Sequence, residues 1–362
     1  MIWGVGLVKS EIARLTTELA ALDAVAGFEH KVIARMADGL RALGLPTEID
    51  HFGNLIASKR GTRGSPTAMV AAHADEIGAI VKSVDARGFL RFEKLGGTQD
   101  VMLLGRKVAV NGVLGVVGVK AGHLQWNGAA LPRHSDMYID IGADSAAEVA
   151  AMGIRIGDPI AYVGEVRSLG NGDRLCGKAI DNRIGCAVLL QLAAELRAVD
   201  LPGTVHFVVN TQEEVGWRGI QLVANRLKPD AALVVDTMPS GDTPDTDLER
   251  ELGVRIGAGP VVTLMNGTFG SGHIMHAGMK RLLLGLAEAE GLPHQVAVYG
   301  GIGSDATTLH LVGEGIPTGI VNIPRRYAHS PVEVVDLNDA VNALHLLRVA
   351  TLALATETVG WE

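Results

Sequence analysis

Seven side chains able to bind metal or move protons are spread along this sequence, five of them at the ends of apolar runs. His73 and Asp75 close MVAAHADEIG. Two residues apart in an extended chain, they leave the same face, so the imidazole can ligate a metal while the carboxylate orients its other ring nitrogen. An ordinary strand-end loop accommodates the same pair. Asp181, in GKAIDNRIG, directly precedes a helical stretch. It either caps that helix or, through its two oxygens, bridges two cations. Glu213 and Glu214 follow the strand-like VHFVVN. Burying unpaired carboxylates costs far more than burying hydrocarbon. The two acids therefore decorate a solvent-facing loop, or serve a site where one ligates metal and the other takes a proton from water. Asp236 repeats the arrangement at the end of AALVVD, and His329 comes much later, in NIPRRYAHSPVEVVD, where Pro324 and Pro331 are expected to fix a loop.

The elements that must position these groups are legible as an interrupted α/β pattern. Residues 10–43 carry helical periodicity broken at Gly27, and Gly44 to Pro46 lead into the extended TEIDHF. The strand TAMVAAH is apolar enough to be buried on both faces, as at the centre of a mixed or parallel sheet. From Gly78 to Arg167 the texture changes to short Val, Ile and Leu strands separated by glycines, with one helical stretch, SAAEVAAMG. The α/β pattern then resumes with a helix over 182–197, the strand TVHFVVN, a helix over 219–226, the strands AALVVD and GPVVTLM, a helix over 275–290 and the strand QVAVY. Parallel strands need crossover helices, so the outer segments form one α/β domain and the β-rich part is an insertion. Acids at the C-terminal ends of such strands face the usual crevice of an open sheet.

Composition narrows the function classes. The chain has 362 residues, 48% of them hydrophobic and 20% charged, which is ordinary for a large globular protein. A net charge of -8 offers no broad basic field for nucleic acid. The N-terminus lacks the pattern of a secretory signal, and no apolar run reaches the roughly 18 residues of a membrane span, so a cytoplasmic location is expected. Cys176 and Cys186 are too widely spaced for a redox pair or half of a structural zinc site. Any metal is therefore held by His, Asp and Glu, a donor set that suits zinc, cobalt or manganese. The absence of HExxH disfavours a helix-based single-zinc protease. Asp305, in the glycine-rich YGGIGSDATTLH, and the pair Arg325 and Arg326 beside the His329 loop are open between structural and substrate-facing roles.

The ordered set AHADEIG, GKAIDNR, TQEEVG, VVDT and RRYAHSPVEVVDLND resembles the M42 family of metalloaminopeptidases, which includes the tetrahedral aminopeptidases and chains once called cellulases or endoglucanases. The resemblance runs over nearly the whole chain, FEHKV and DHFGNLIA included. It implies a bridging Asp181, with His73 and Asp236 completing one metal site and Glu214 and His329 the other. Glu213 becomes the general base, Asp75 the partner of His73, and the bond between Asp181 and Asn182 a cis peptide. The implied cofactors are two divalent ions per subunit, Zn2+ or Co2+, with Mn2+ compatible. The implied fold is a mixed-sheet, zinc-peptidase-like catalytic domain from residues 1–77 and 168–362, with 78–167 as an inserted PDZ-like or barrel-like dimerisation domain. Dimers assembling into a tetrahedral dodecamer and short peptides losing their N-terminal residues follow from the same resemblance. One departure is AVAGFEH, with Ala26 where the family commonly has Ser, which leaves the ligands intact. The alternatives are another co-catalytic metallohydrolase such as a glycosidase, recognised by released reducing sugar, and an inactive self-assembling peptide-binding protein, recognised by indifference to Glu213.

Overall fold

The computed structural model describes residues 5–124, 131–268 and 271–361. At its centre the strand Thr67–His73 pairs in parallel with Thr204–Asn210 on one side and Ala231–Pro239 on the other. Ala231–Pro239 pairs in parallel with Thr318–Arg326. The antiparallel strand Leu55–Lys59 covers the outer side of Thr204–Asn210. Glu333–Asp336 and Arg174–Gly177 extend the other flank antiparallel. Among the described residues these belong to a 12-stranded mixed sheet. The central strands read as unbroken apolar runs because both faces are covered, with helices Ile180–Leu196 and Leu337–Leu354 packed over one of them.

Between Gly78 and Tyr162 the short glycine-punctuated strands close on themselves into a six-stranded antiparallel barrel. Its own core is built from alternate residues such as Val81, Leu90, Phe92, Val108, Val110, Val117, Ile139 and Ile160. Among the described residues, closure leaves no open edge within the module. The expected helix in SAAEVAAMG spans Ala146–Ala151, and Ser145 caps it by accepting from the Glu148 amide.

The helix expected from about Asn182 spans Ile180–Leu196, with Asp181 and Asn182 departing from helical backbone and a cis bond between them, so its regular turns begin where expected. Two local expectations change. Asp181 makes no cap, so the capping reading is set aside. The segment around Pro324, expected as loop, lies inside the strand Thr318–Arg326, and Glu333–Asp336 is a strand as well. Proline is tolerated there because the ladder changes partner on that side. Val261 and Val262 pair with Asn322 and Val321, Arg325 and Arg326 pair with Val335 and Val334, and Pro324 falls in the gap between the two partners. Among the described residues no helix is long and apolar enough to cross a membrane.

Candidate metal centre

Each of the separated groups reaches the crevice at the C-terminal ends of the parallel strands. His73 ends its strand opposite Asn210, and its side chain is almost fully buried. Asp236 lies in the next strand, in register with Asn322. Glu213 and Glu214 sit in the turn after Asn210. Asp181 occupies the non-helical entry to its helix, and His329, in left-handed backbone, lies between two strands of the far flank.

Their donor atoms form two adjacent groups. His73 Nε2 lies 3.3 Å from Asp181 Oδ1 and 3.5 Å from Asp236 Oδ1. His329 Nε2 lies 3.5 Å from Asp181 Oδ2 and 3.4 Å from Glu214 Oε2. Asp181 thus presents one oxygen to each histidine. Within 4.8 Å of one another stand donors from His73, Glu213 and Asp236, and likewise donors from Asp181, Glu214 and His329. The first trio places Glu213 beside the position that the family resemblance assigns to His73, Asp236 and Asp181.

Unspent polar atoms test whether divalent ions fit these residues. Asp181 Oδ1 and Glu214 Oε1 are buried without a hydrogen-bond partner. Buried carboxylate oxygens are rarely left so, and each such atom asks for an ion, a water or an explanation. An all-nitrogen-and-oxygen set of this kind is suited to zinc, cobalt or manganese. The residues therefore fit divalent-cation binding, with donors from His73, Glu213 and Asp236 in one group and from Asp181, Glu214 and His329 in the other.

The electrostatics follow from packing many acids in one crevice. Burial pushes Glu213 well above the carboxylate range, Glu214 up to about 7 and Asp305 up to about 8. Burial opposes protonation of His73, yet Glu213 and the carboxylates of Asp181, Asp236 and Asp75 outweigh it and raise its pKa. For His329 burial is likewise outweighed by Glu214 and Asp181, and its pKa rises to about 9. Asp181 is the exception. Burial would raise it, but Arg325, His329 and His73 hold it well below the ordinary value.

Asp75 does more than face His73. Its Oδ1 lies 3.4 Å from His73 Nδ1 but without the alignment of a hydrogen bond, while its two oxygens accept from the Glu213 and Glu214 amides at 3.0 and 2.9 Å. Arg325 is fully enclosed, donating to Asp181 Oδ2, to Glu333 Oε1 at 2.5 Å and to Thr237 Oγ1 at 2.6 Å. Arg326 leaves the opposite face and pairs with Asp242. Asp305 accepts from Asn210 Nδ2 at 2.9 Å, and its other oxygen has no partner.

Several supporting residues went unnoticed in the sequence. Glu333 accepts from the Asp181 amide and the His329 amide, both at 3.0 Å, tying two proposed ligands to one carboxylate. The sequence signal was an acid inside the otherwise apolar VEVV. Arg183 is completely buried and donates to the carbonyls of Leu19, Leu22, Ala74 and Asp75, so it holds the chain just past His73. From the barrel, the Gly97 carbonyl lies 3.4 Å from His329 Nδ1, the arrangement that leaves Nε2 free for an ion. A Cβ at Gly97 would stand 2.8 Å from that nitrogen. A glycine pair in a turn is too common a feature to have announced this role.

Comparison with known proteins gives a consistent result. The profile described as M42 glutamyl aminopeptidase matches residues 53–346. A glutamyl aminopeptidase of Lactococcus lactis is 33% identical over 351 residues, covering 94% of this chain and 96% of that protein. The structure of an aminopeptidase from the archaeon Desulfurococcus kamchatkensis superposes with a TM-score of 0.91 at 35% identity, covering 98% of this chain and 97% of its own. The Pyrococcus horikoshii TET1 peptidase, described as assembling into a tetrahedron or a large octahedral shell, superposes with a TM-score of 0.80 at 28% identity, with 95% and 98% covered.

Proposed function

Because this chain belongs to the M42 family and is an aminopeptidase, we propose that it releases N-terminal residues from short peptides at a centre holding two divalent ions, Zn2+ or Co2+, with Mn2+ also suitable. The observation that carries this reading is Asp181, whose two oxygens face two separate imidazoles at 3.3 and 3.5 Å. His73, Asp236 and Asp181 hold one ion; Glu214, His329 and Asp181 hold the other. When bound, the ions supply Lewis acidity, polarising the peptide carbonyl and making water a better acid.

The chain's own residues do the rest. Glu213, buried beside His73 and Asp236, takes a proton from the water that attacks the first peptide carbonyl. Burial raises its proton affinity, which favours taking that proton, and the resulting carboxylic acid delivers it to the departing nitrogen. Asp75 holds the Glu213 and Glu214 amides and faces the outer nitrogen of His73. Arg325 and Glu333 keep Asp181 and His329 in place.

Residues 1–77 and 168–362 act as the catalytic domain, and 78–167 as a dimerisation domain through which dimers assemble into a tetrahedral dodecamer. A cytoplasmic enzyme acting on small peptides completes the reading. The test is an assay of protein reconstituted with Zn2+, Co2+ or Mn2+ on free and N-blocked peptides, read by product mass. Stepwise loss of single N-terminal residues from free peptides alone is expected, and internal cleavage would refute it. Glu213→Gln should keep both ions while lowering turnover about 100-fold or more. Near-wild-type turnover with both ions bound would remove Glu213 from the role of base.

A further inference from the structure

Glu29 stands outside the metal-facing set, just ahead of helix His30–Ala42, and is only 5% exposed. Its Oε1 accepts from the Gly27 amide at 2.7 Å and, across 183 positions of sequence, from the Gln212 amide at 3.0 Å. Gln212 immediately precedes Glu213, and its φ of 56° lies in the left-handed region. A side chain larger than glycine stays in that region when its surroundings impose it, and such residues cluster at functional sites.

Here the surroundings are a ladder of side-chain acceptors. The Thr211 amide donates to Asn54 Oδ1 at 3.0 Å, Gln212 to Glu29, Glu213 to Asp75 Oδ1 and Glu214 to Asp75 Oδ2. Four consecutive amides thus point at three buried polar side chains from distant parts of the chain. Glu29 is the one that grips the left-handed residue itself.

We propose that Glu29 is a positioning residue for peptide hydrolysis, holding Gln212 in its left-handed turn and so aiming the adjacent Glu213 carboxylate. This rests on Glu213 as the general base. Removing the acceptor leaves the Gln212 amide without its partner and frees the turn to relax. The base then swings off its line although no proposed ligand has been touched. Burial, and after it the charge of Asp75, push the Glu29 carboxyl up to about 7. A neutral acceptor of the same shape is therefore a close substitute.

The test compares Glu29→Ala, Glu29→Gln and Glu29→Asp in the full chain. Glu29→Ala should lower kcat about 10- to 100-fold with KM and bound ions per subunit unchanged, since small misplacements of a reacting group cost factors of this size. Glu29→Gln keeps the acceptor oxygen and should recover turnover to within a few-fold. Glu29→Asp withdraws the oxygens by one methylene and should resemble alanine, which keeps the test open if the alanine variant does not fold. In chelator-stripped protein, amide exchange of residues 211–214 should be about 10-fold faster in Glu29→Ala and Glu29→Asp than in wild type or Glu29→Gln.

Wild-type kcat in both shortened variants would overturn the proposal. So would a loss matched by missing ions, or a glutamine variant as slow as alanine. Glu213→Gln run in parallel separates the two readings. If it too retains turnover, the base assignment falls and this role with it; if it alone is slow, only the role of Glu29 falls.

Discussion

Stripping the ions from this protein should make its stability fall as pH rises, and restoring them should cancel the effect. The sign follows from the groups in the crevice. Glu214 moves from 4.5 to about 7 on folding, and Asp305 from 3.8 to about 8, because burial disfavours their charge. His329 moves from 6.5 to about 9, the carboxylates of Glu214 and Asp181 outweighing burial. Each of these groups holds its proton more tightly in the folded chain. Its contribution is complete below the unfolded value and is lost as pH rises through the folded one. Asp181 has the opposite sign, but its contribution is lost only in acid below the ordinary carboxylate range.

Counting a single extra proton on the folded cluster, each pH unit costs about 1.4 kcal/mol, so the rise from about pH 5 to about pH 7 costs roughly 3 kcal/mol. For a chain of this size that is about 4 °C in Tm. Divalent ions held as proposed would displace the protons of Glu214 and His329 and stabilise in addition by mass action, about 4 kcal/mol at a thousandfold excess over Kd. The measurement is a series of thermal melts of chelator-treated protein from about pH 5 to about pH 8, each repeated with saturating Mn2+. Comparing the two series at each pH cancels the contribution of surface groups. A stripped protein whose Tm is flat or climbs over this range, or one indifferent to added ions, would refute the reasoning.

Two further outcomes test other parts of the structure. Gly97→Ala places a methyl group 2.8 Å from His329 Nδ1 and should weaken ion binding at the Glu214 and His329 position about 10-fold. Elemental analysis after dialysis reads this directly, and two ions retained as in wild type would count against a role for the barrel turn. His273, buried and next to His310, has its pKa pushed down to about 4. Its contribution is therefore full above its unfolded value of 6.5 and is lost as pH falls toward 4. His273→Phe should remove about 3 kcal/mol of that acid-side loss, measured as the difference between wild-type and variant urea midpoints across the range. Parallel curves for the two proteins would show that the ring is not buried as a neutral group.

The sequence by itself carried the strand ends, the inserted β-rich texture and the short set of acids and imidazoles. The reason is energetic and local. Apolar runs such as TAMVAAH, TVHFVVN and AALVVD announce buried strands, and a carboxylate or imidazole placed where such a run stops has no use for the core. Periodicity also marked the helices 182–197 and 219–226 to within a few residues of Ile180–Leu196 and Arg218–Leu227.

Tertiary structure alone decided which oxygen meets which nitrogen. That Asp181 offers one oxygen to His73 and the other to His329 depends on a backbone departure inside a helix and on Arg325 and Glu333 gripping it from the far flank. Pro324 reads as a breaker in sequence but sits within a strand, because the sheet changes partner beside it. Glu29 and Gln212, and Gly97 and His329, meet across 183 and 232 positions of chain. Such contacts have no local period or composition to betray them. Hydrogen bonds act over about 3 Å in space, whatever the separation along the chain, and only the packed sheet brings these partners within that reach.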